Sequence, residues 1–406
     1  MEATTSRRIW PGGRTRLAAV LLLAGLSAAA VPAADDSGST PLAASPPAVP
    51  EGPGAAPGAA SPGGAASPGG AAAPAGPGTA PFDAGRAAGL ELTVGDRTIP
   101  YRVFAVFALP GERVPIRARV DGAEPRAASA TAGGGGLAPA GPGRWTWTAP
   151  ADPGLVPLEI AAGGERRVRL NAFVMTPATR VENGYLNGYR VGRYPTEPLR
   201  GLAEYRPPRG FVRVTPENRD TPVSPHFTLG QFVCKQAGGW PRYVALDPDL
   251  LVKLERLLEG LDARRAAEQA AAPIPGLFVM SAFRTPYYNR LVRGTANSRH
   301  LWGDAGDVFV DRAPPDGVMD DLDGDGTVTT ADALVLAAVA EALARRPGWI
   351  PGGLGVYPPN PARGPFVHLD VRGYAARWGP RPPAAPEGGD GSAATAVRPS
   401  GSPPAP

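Results

Sequence analysis

The sequence contains only three histidines, and two of them lie near carboxylates at spacings that suit a metal site. His300 precedes Asp307 by seven residues, and two glycines between them permit a turn that would bring both side chains to one point. His368 lies in a predicted strand, FVHLD, where the two-residue repeat places it on the same face as Asp370. Two imidazoles and one carboxylate form a common ligand set for catalytic zinc with an open fourth position. Spacing alone fits two unrelated structural histidines equally well.

A second group of carboxylates fits the loop of an EF-hand, in the segment DLDGDGTVTTAD at residues 321–332. Oxygen donors fall at loop positions 1, 3, 5 and 12, and a glycine at position 6 permits the sharp turn. The predicted calcium ligands are Asp321, Asp323, Asp325, Thr327 and Asp332. Aspartate replaces the usual glutamate at position 12, so the loop is dockerin-like. Because one copy is present, we interpret it as a structural calcium site; the alternative is an acidic surface loop.

Helices and strands that could position these residues are predicted in the second half of the chain. Asp247 and Pro248 suit an N-cap and a first helical position, and a stripe of leucines follows at helical spacing. A short helix is predicted from Thr285–Pro286 to Gly294. Buried strands are predicted at 277–283, 307–311 and 366–371. Helices and strands around one sheet indicate a mixed α/β domain over residues 221–380.

The preceding residues, 82–180, show short alternating runs separated by turns, which predict an all-β, antiparallel sandwich-like module. Trp145 and Trp147 share one strand face there, which favours core packing over a ligand platform. Residues 181–220, rich in Tyr, Gly, Pro and Arg, are predicted to form an extended connector.

The segments that hold the candidate ligands resemble one enzyme family. SRHLWGDAGD, at 298–307, is similar to the S-x-H-x-x-G-x-A-x-D motif of the zinc D-alanyl-D-alanine carboxypeptidase family, the LAS-type metallopeptidases that cleave peptidoglycan peptides. SPHFTLGQFVCK, SAFRTPYYN, GGLGVYP and FVHLDVRG resemble the same family in the same order. The resemblance extends over about residues 221–378 and does not reach the β module.

The resemblance implies an α+β, LAS/hedgehog-type fold with a small antiparallel sheet and a peptide substrate of D configuration. It also implies that zinc is held by three side chains, those of His300, Asp307 and His368. Arg284 matches the family arginine that binds the substrate carboxylate or the polarised carbonyl, and a guanidinium suits either group. Ser298 matches the motif serine, which hydrogen-bonds substrate or orients the loop. His226 is a candidate fourth metal contact, although a satisfied structural histidine is the commoner case.

The general base is the point where the sequence departs from the family pattern. Many relatives carry an acid or a histidine two or three residues before the last zinc ligand, whereas this chain has Pro365 and Phe366 there. Asp370 is the candidate base, and an equally good interpretation makes it the acceptor that holds the His368 ring. Asp304 is a weaker alternative base.

The N-terminal residues predict export, and the composition restricts the binding partners. Residues 1–34 are predicted to be a signal peptide, with a basic start and a 15-residue apolar segment at 17–31, shorter than the roughly 20 residues of a membrane-spanning helix. Residues 35–81 and 381–406, rich in Ala, Pro and Gly, are predicted to be a disordered linker and tail. The basic pI comes from scattered arginines without a basic tract, which disfavours nucleic acid as a partner. A lone Cys234 excludes an intrachain disulfide.

These patterns lead to one preferred function. We expect an exported zinc metallopeptidase, periplasmic or extracellular and associated with the cell wall, that hydrolyses D-Ala-containing peptide bonds of peptidoglycan stem peptides as a carboxypeptidase or an endopeptidase. The alternative is a non-hydrolytic peptidoglycan-binding module that keeps the peptidase fold. A third hypothesis, an exported interaction module that docks through the calcium helix, is weaker because dockerins normally carry two loops.

Overall fold

The computed structural model describes residues 85–164, 166–268, 274–312 and 315–381, all of which belong to one compact unit. The predicted signal peptide, the predicted linker and all of the tail but Arg381 lie outside the described residues. No helix within the described ranges is both long enough and apolar enough to cross a bilayer.

The β module consists of two sheets. Its strands are β1 (Leu90–Val94), β2 (Arg97–Ile99), β3 (Val103–Ala108), β4 (Arg113–Val120), β5 (Ala128–Ala132), β6 (Gly136–Gly141), β7 (Arg144–Thr148), β8 (Gly154–Ala162) and β9 (Arg166–Val174). One sheet has the order β2-β1-β4-β7-β6 and the other has the order β3-β9-β8-β5. Buried and exposed residues alternate along β1, β4, β7 and β8, which therefore turn one face to a core.

Two expectations about this module can be compared with its structure. Trp145 and Trp147 are both buried on the inner face of β7, so core packing is confirmed. The expectation of a purely antiparallel sandwich is wrong at one pair, because β3 and β9 run parallel, with Phe104 opposite Leu170. A parallel pair needs a long crossover, and here the intervening residues supply strands to both sheets.

Residues 176–244, which run from the end of the β module into the second domain, form three small sheets, one of three strands and two of two strands. The strands are β10 (Thr176–Pro177), β11 (Tyr185–Leu186), β12 (Tyr189–Arg190), β13 (Gly210–Val214), β14 (Pro222–Ser224), β15 (Phe227–Thr228) and β16 (Arg242–Val244). In the order β10-β13-β16, β13 pairs with the end of the β module on one side and with the second domain on the other. Part of the predicted connector, strand β13, is therefore the central strand of this three-stranded sheet.

The rest of the second domain has one mixed sheet and three α-helices among its described residues. The helices are α1 (Pro248–Ala267), α2 (Pro286–Leu291) and α3 (Thr330–Ala344), and the strands are β17 (Phe278–Ser281), β18 (Ala305–Phe309), β19 (Gly353–Tyr357), β20 (Phe366–Asp370) and β21 (Ala376–Trp378). The strand order is β17-β18-β20-β19-β21, and every pair is antiparallel except β19-β21. The predicted small antiparallel sheet is therefore correct except at this edge.

The N-cap and the leucine stripe predicted for the first helix are both present in α1. Asp247 caps α1, its side chain accepting a hydrogen bond from the Asp249 amide 2.9 Å away, and the leucine stripe of α1 is buried. Gly260 permits a close crossing of α1 and α3, since a Cβ there would lie 2.7 Å from Val339. The second predicted helix ends at Leu291, before Gly294.

The β module packs directly on the second domain. Arg97 donates to the Asp249 carboxylate at the start of α1, 2.5 Å away, and the buried Asn171 amide donates to the Pro222 carbonyl at 2.8 Å. Arg86 pairs with Glu259 of α1. Buried apolar residues of both parts form one continuous core, so the β module acts as a fixed support for α1.

Candidate metal centre

Strand pairing brings Asp307 and His368 together, although 61 residues separate them. Asp307 of β18 lies directly opposite His368 of the antiparallel β20. Directly opposed residues have Cβ atoms about 5 Å apart, and one face of a sheet presents both side chains. The register of a single strand pair therefore creates two thirds of the predicted ligand set.

A short turn before β18 adds His300. Residues Arg299–Trp302 form a 3-10 turn that ends at Gly303, whose φ is 75°. A Cβ at Gly303 would overlap the Ala245 carbonyl, so this position needs glycine for both its backbone angle and its contact. Of the two glycines between His300 and Asp307, only Gly303 makes the turn, because Gly306 is an ordinary residue of β18.

The three predicted ligands form one buried group. Asp307 Oδ1 lies 2.9 Å from His368 Nδ1 and 3.2 Å from His300 Nε2, and the candidate ligand atoms all lie within 4.8 Å of one another. The two imidazole rings are 5.0 Å apart and inclined by 72°, so that different ring nitrogens face the same carboxylate oxygen. Each of the three residues is at most 6% exposed.

The other nitrogen of each ring has a fixed acceptor. His300 Nδ1 lies 2.6 Å from the Ala282 carbonyl oxygen, and His368 Nε2 lies 3.1 Å from Asp370 Oδ2. Burial by itself raises the pKa of Asp370, but hydrogen bonds from His368 and Arg372 hold it well below its usual value, so this carboxylate can only accept. In a neutral ring, these acceptors place the single proton on the outer nitrogen, and the nitrogen that faces Asp307 is then free to bind a metal ion.

Lone pairs that converge in this way repel one another unless a positive charge lies among them. Burial, with a smaller contribution from the Arg284 charge, lowers the pKa of His300 to about 4. Burial also lowers the pKa of His368, but hydrogen bonds to Asp307 and Asp370 outweigh it and raise the pKa to about 8. A group of side chains that favours a proton between two carboxylates also suits a divalent cation.

Asp370 is occupied by its own hydrogen bonds. Its Oδ1 accepts from the Gly353 amide at 2.8 Å, and its Oδ2 accepts from Arg372 Nη2 at 2.7 Å as well as from His368. The residue is fully buried. This arrangement favours the acceptor that holds the His368 ring over the general base, because no lone pair of Asp370 is directed to the Asp307 side of the ring.

Arg284 is placed at the centre, in contact with a candidate ligand. Its Nη2 donates to Asp307 Oδ2 at 2.7 Å and its Nε donates to Ser281 Oγ at 2.9 Å. The contact orients Asp307 so that its other oxygen faces the imidazoles. One fifth of the Arg284 side chain stays exposed. Ser298 begins the turn that carries His300 and accepts from the Leu301 amide through its carbonyl, a position that suits orientation of the loop.

His226 and Asp304 are not part of this group. His226 Nδ1 lies 2.7 Å from Glu255 Oε2 in α1, and its backbone amide donates to the same carboxylate, so the structural interpretation of His226 fits its surroundings. Asp304 is bonded to Arg299 in a separate cluster, where burial raises its pKa to about 7. Neither residue belongs to the His300–Asp307–His368 group.

Sequence reasoning missed the aromatic and cationic surroundings of the centre. The Trp378 ring lies 5.2 Å from the His368 ring and donates through Nε1 to the Tyr357 hydroxyl at 2.9 Å. A Cβ at Gly355 would overlap Trp378, so the alternating glycines of GGLGVYP were the sequence signal for a ring packed on this strand. Lys235 and Arg363 are close enough that the Asp307 charge acts on both.

The acidic loop brings three of its five predicted ligands together: Asp321, Asp323 and Asp325. Asp332 lies outside that group, and its fully buried carboxylate accepts hydrogen bonds from three backbone amides, among them Leu322 at 2.6 Å and Thr329 at 2.7 Å. It completes a capping box with Thr329 at the start of α3. The Thr327 hydroxyl donates to Asp325 Oδ1 at 2.7 Å.

Comparisons with known proteins add no family to this geometry. No family model matches the chain, and neither a curated protein nor a solved structure matches it significantly. The resemblance to zinc D-alanyl-D-alanine carboxypeptidases therefore depends on the sequence motifs.

Proposed function

We propose that this chain is an exported zinc metallopeptidase that hydrolyses D-Ala-containing peptide bonds of peptidoglycan stem peptides. The observation that carries the proposal is the buried group of His300, Asp307 and His368, in which the outer nitrogen of each ring faces an acceptor. Metal-binding histidines usually donate their second N–H to a carboxylate or a carbonyl, and both kinds of acceptor are present here.

The donor set fits zinc in type and number. Two imidazole nitrogens and one carboxylate oxygen leave a fourth tetrahedral position for water, as in catalytic zinc sites. When bound, zinc lowers the pKa of a coordinated water and stabilises the oxyanion that develops on a carbonyl. The absence of a second cysteine argues against a thiolate site.

The residues around the group support catalysis on an anionic peptide. Asp370 and the Ala282 carbonyl can each accept an imidazole N–H, which would direct the other nitrogen of each ring to a bound metal ion. Arg284 is part-exposed beside Asp307, where its guanidinium can meet a substrate carboxylate or a polarised carbonyl. Lys235 and Arg363 add positive charge near the centre, which favours peptides that carry carboxylates.

The proposed substrate and the proposed export are based on sequence motifs. The D configuration, the choice of peptidoglycan and the roles of Arg284 and Ser298 follow from the motifs at 298–307 and 366–373. Export follows from the apolar segment at 17–31. We also propose that the loop at 321–332 binds calcium through Asp321, Asp323 and Asp325, which supports the start of α3.

One observation favours the second candidate, a non-hydrolytic peptidoglycan-binding module. The hydrogen bonds of Asp370 leave it unsuited to act as a base, and among the described residues no further acidic or histidine side chain joins the group of three. A module without a general base would retain the metal and bind the peptide without hydrolysing it.

The experiment that separates these functions uses the purified protein with zinc on intact sacculi, followed by mass analysis of the muropeptides. Loss of a single D-alanine identifies a carboxypeptidase, and cleavage of cross-links identifies an endopeptidase. Unchanged muropeptides together with co-sedimentation of protein and sacculi identify the binding module. Elemental analysis of the same sample measures the metal, and a protein without zinc contradicts both candidates that use this centre.

A further inference from the structure

The loop between β19 and β20 carries an arginine to the edge of the metal centre. Arg363 ends a tight turn, in which its amide donates to the Asn360 carbonyl at 3.1 Å and its carbonyl accepts from the Asn360 amide at 2.9 Å. The Asn360 side chain closes the turn by accepting from the Ala362 amide, 2.9 Å away. Both polar groups of the Arg363 backbone are therefore held in place.

The Arg363 side chain lies over an aromatic pair on the sheet face that carries His368. Its guanidinium carbon is 4.3 Å from the centre of the Phe366 ring, and that ring stacks on Tyr357 with the two centres 4.6 Å apart. Phe366 precedes His368 by two residues in β20, so the two side chains share one face. Two residues of strand span about 7 Å, which is the separation of Phe366 and His368 along the sheet.

The half-buried guanidinium of Arg363 has its donors available. Among the described residues it makes no ion pair, and its one hydrogen bond, from Nη1 to the Pro358 carbonyl, is long at 3.5 Å. Burial lowers the pKa of Arg363 and the negative charge of Asp307 raises it, so the guanidinium is within electrostatic reach of a candidate ligand. Stacking occupies the face of the guanidinium and leaves its N–H edge, which can bind a carboxylate through two parallel hydrogen bonds.

Arg284 is less available to a substrate carboxylate than Arg363. Its Nη2 donates to Asp307 and its Nε donates to Ser281. A carboxylate that bound the fork of Arg284 would displace Asp307, a candidate metal ligand. The hydrogens on Nη1 remain, and they suit a single oxygen such as that of a polarised carbonyl. The two arginines can therefore bind different parts of one substrate.

We propose that Arg363 binds the C-terminal carboxylate of the peptide substrate and thereby selects peptides cleaved at their last bond. This inference rests on the proposed function and narrows it to a carboxypeptidase, with Arg284 at the scissile carbonyl. One extended residue together with its hydrogen bond to a guanidinium covers about 6–7 Å. That length is similar to the separation of Phe366 and His368 along β20, so one residue fits between the metal centre and Arg363.

The test compares acetyl-D-Ala-D-Ala with its C-terminal amide by calorimetry on the full chain, with a chelator present so that neither peptide is hydrolysed. We expect the acid to bind at least about tenfold more tightly than the amide, the effect of charge-assisted hydrogen bonds. In Arg363→Met, which keeps an apolar chain over Phe366, the two peptides should bind equally. The proposal is overturned if the unmodified protein does not bind the acid or does not prefer it, or if Arg363→Met keeps the full preference.

Three further variants separate Arg363 from a general effect of charge. Arg363→Lys keeps the charge without the fork and should restore part of the preference for the acid. Lys235→Met removes another cation near Asp307 and should reduce the preference less than Arg363→Met; a larger loss would assign the carboxylate to Lys235 and overturn the proposal. Arg190→Met is the matched control, because it removes a guanidinium stacked 4.0 Å from the centre of the Tyr287 ring in a different sheet, and it should leave the preference unaltered.

Kinetics on the zinc-loaded protein distinguish this inference from the proposed function. The ratio of the acid and amide affinities is measured within each variant, so a partly unfolded sample does not alter it. With zinc, Arg363→Met should raise KM for release of D-alanine from the acid about tenfold and leave kcat nearly unchanged. If the unmodified protein prefers the acid in calorimetry but releases no D-alanine, the proposed hydrolysis is contradicted and the binding role of Arg363 stands.

Discussion

Replacement of Asp370 by asparagine separates the two roles open to this carboxylate. Every group around it is a donor: His368 Nε2 at 3.1 Å, Arg372 Nη2 at 2.7 Å and the Gly353 amide at 2.8 Å. An asparagine amide therefore directs its NH₂ group at a donor in either orientation. If it faces His368, the imidazole proton must move to Nδ1, the nitrogen that faces Asp307, and the ligand lone pair is lost.

The expected losses of zinc affinity and of stability follow from these contacts. Loss of the acceptor behind a metal-binding histidine lowers metal affinity by about 10–100-fold. Removal of one partner of a buried ion pair costs about 3–5 kcal/mol, and the lower end applies because Arg372 keeps some exposure, 15% of its side chain. We therefore expect Asp370→Asn to be less stable by about 3 kcal/mol and to bind zinc more weakly.

The assay combines a zinc competition titration with activity on muropeptides over a range of free zinc. If Asp370 positions His368, activity returns when free zinc is raised by about the factor that the affinity has lost, 10–100-fold. Chemical denaturation with a chelator gives the change in the free energy of unfolding separately from the metal.

A matched control is Asp320→Asn. Asp320 accepts from both the backbone amide and Nε of Arg312, as Asp370 does from Arg372, but it is not part of the metal group. Its replacement should lower stability and leave zinc affinity unaltered. The reasoning is refuted if Asp370→Asn binds zinc as tightly as the unmodified protein and is inactive at every zinc concentration, because that result makes Asp370 the general base.

Three further outcomes are expected. His300→Gln should lose its zinc, as measured by elemental analysis, whereas His226→Gln should keep zinc and lose only stability; equal zinc in both would contradict the assignment. The pKa of Asp304 rises from 3.8 to about 7 on folding, so its protonated form stabilises the fold below pH 4, and this contribution is lost as the pH rises to about 7. In urea titrations, the free energy of unfolding of the unmodified protein should therefore fall relative to that of Asp304→Asn over that pH interval. If the two free energies change in parallel with pH, the pKa of Asp304 is not raised on folding. Asp323→Ala/Asp325→Ala should abolish the heat of calcium binding, and unchanged heat would reject the calcium loop.

The sequence predicted the local features of the second domain well. With only three histidines, the candidate ligands were few, and the FVHLD repeat correctly placed His368 and Asp370 on one strand face. Asp247 and Pro248 predicted the start of α1. These signals are local, since a cap or a two-residue repeat is decided by neighbours along the chain.

The sequence could not decide which hydrogen-bond partners surround a given side chain. Asp332 fits position 12 of a calcium loop by spacing, yet its carboxylate is taken up by the backbone amides that begin α3. His226 was open to a metal role until its place against Glu255 of α1 was known. A short carboxylate bonds whatever donor the fold brings within 3 Å, and residue spacing carries no information about that distance.

The sequence alone singled out His300, Asp307 and His368 as the candidate ligands. Only the tertiary structure decided that β18 and β20 pair with Asp307 opposite His368, that β3 and β9 run parallel, and that Asp370 is held by Arg372. The physical reason is that strand register depends on burial summed over a whole core. A shift of one residue would move Asp307 to the opposite face of the sheet and leave the two histidines without their carboxylate.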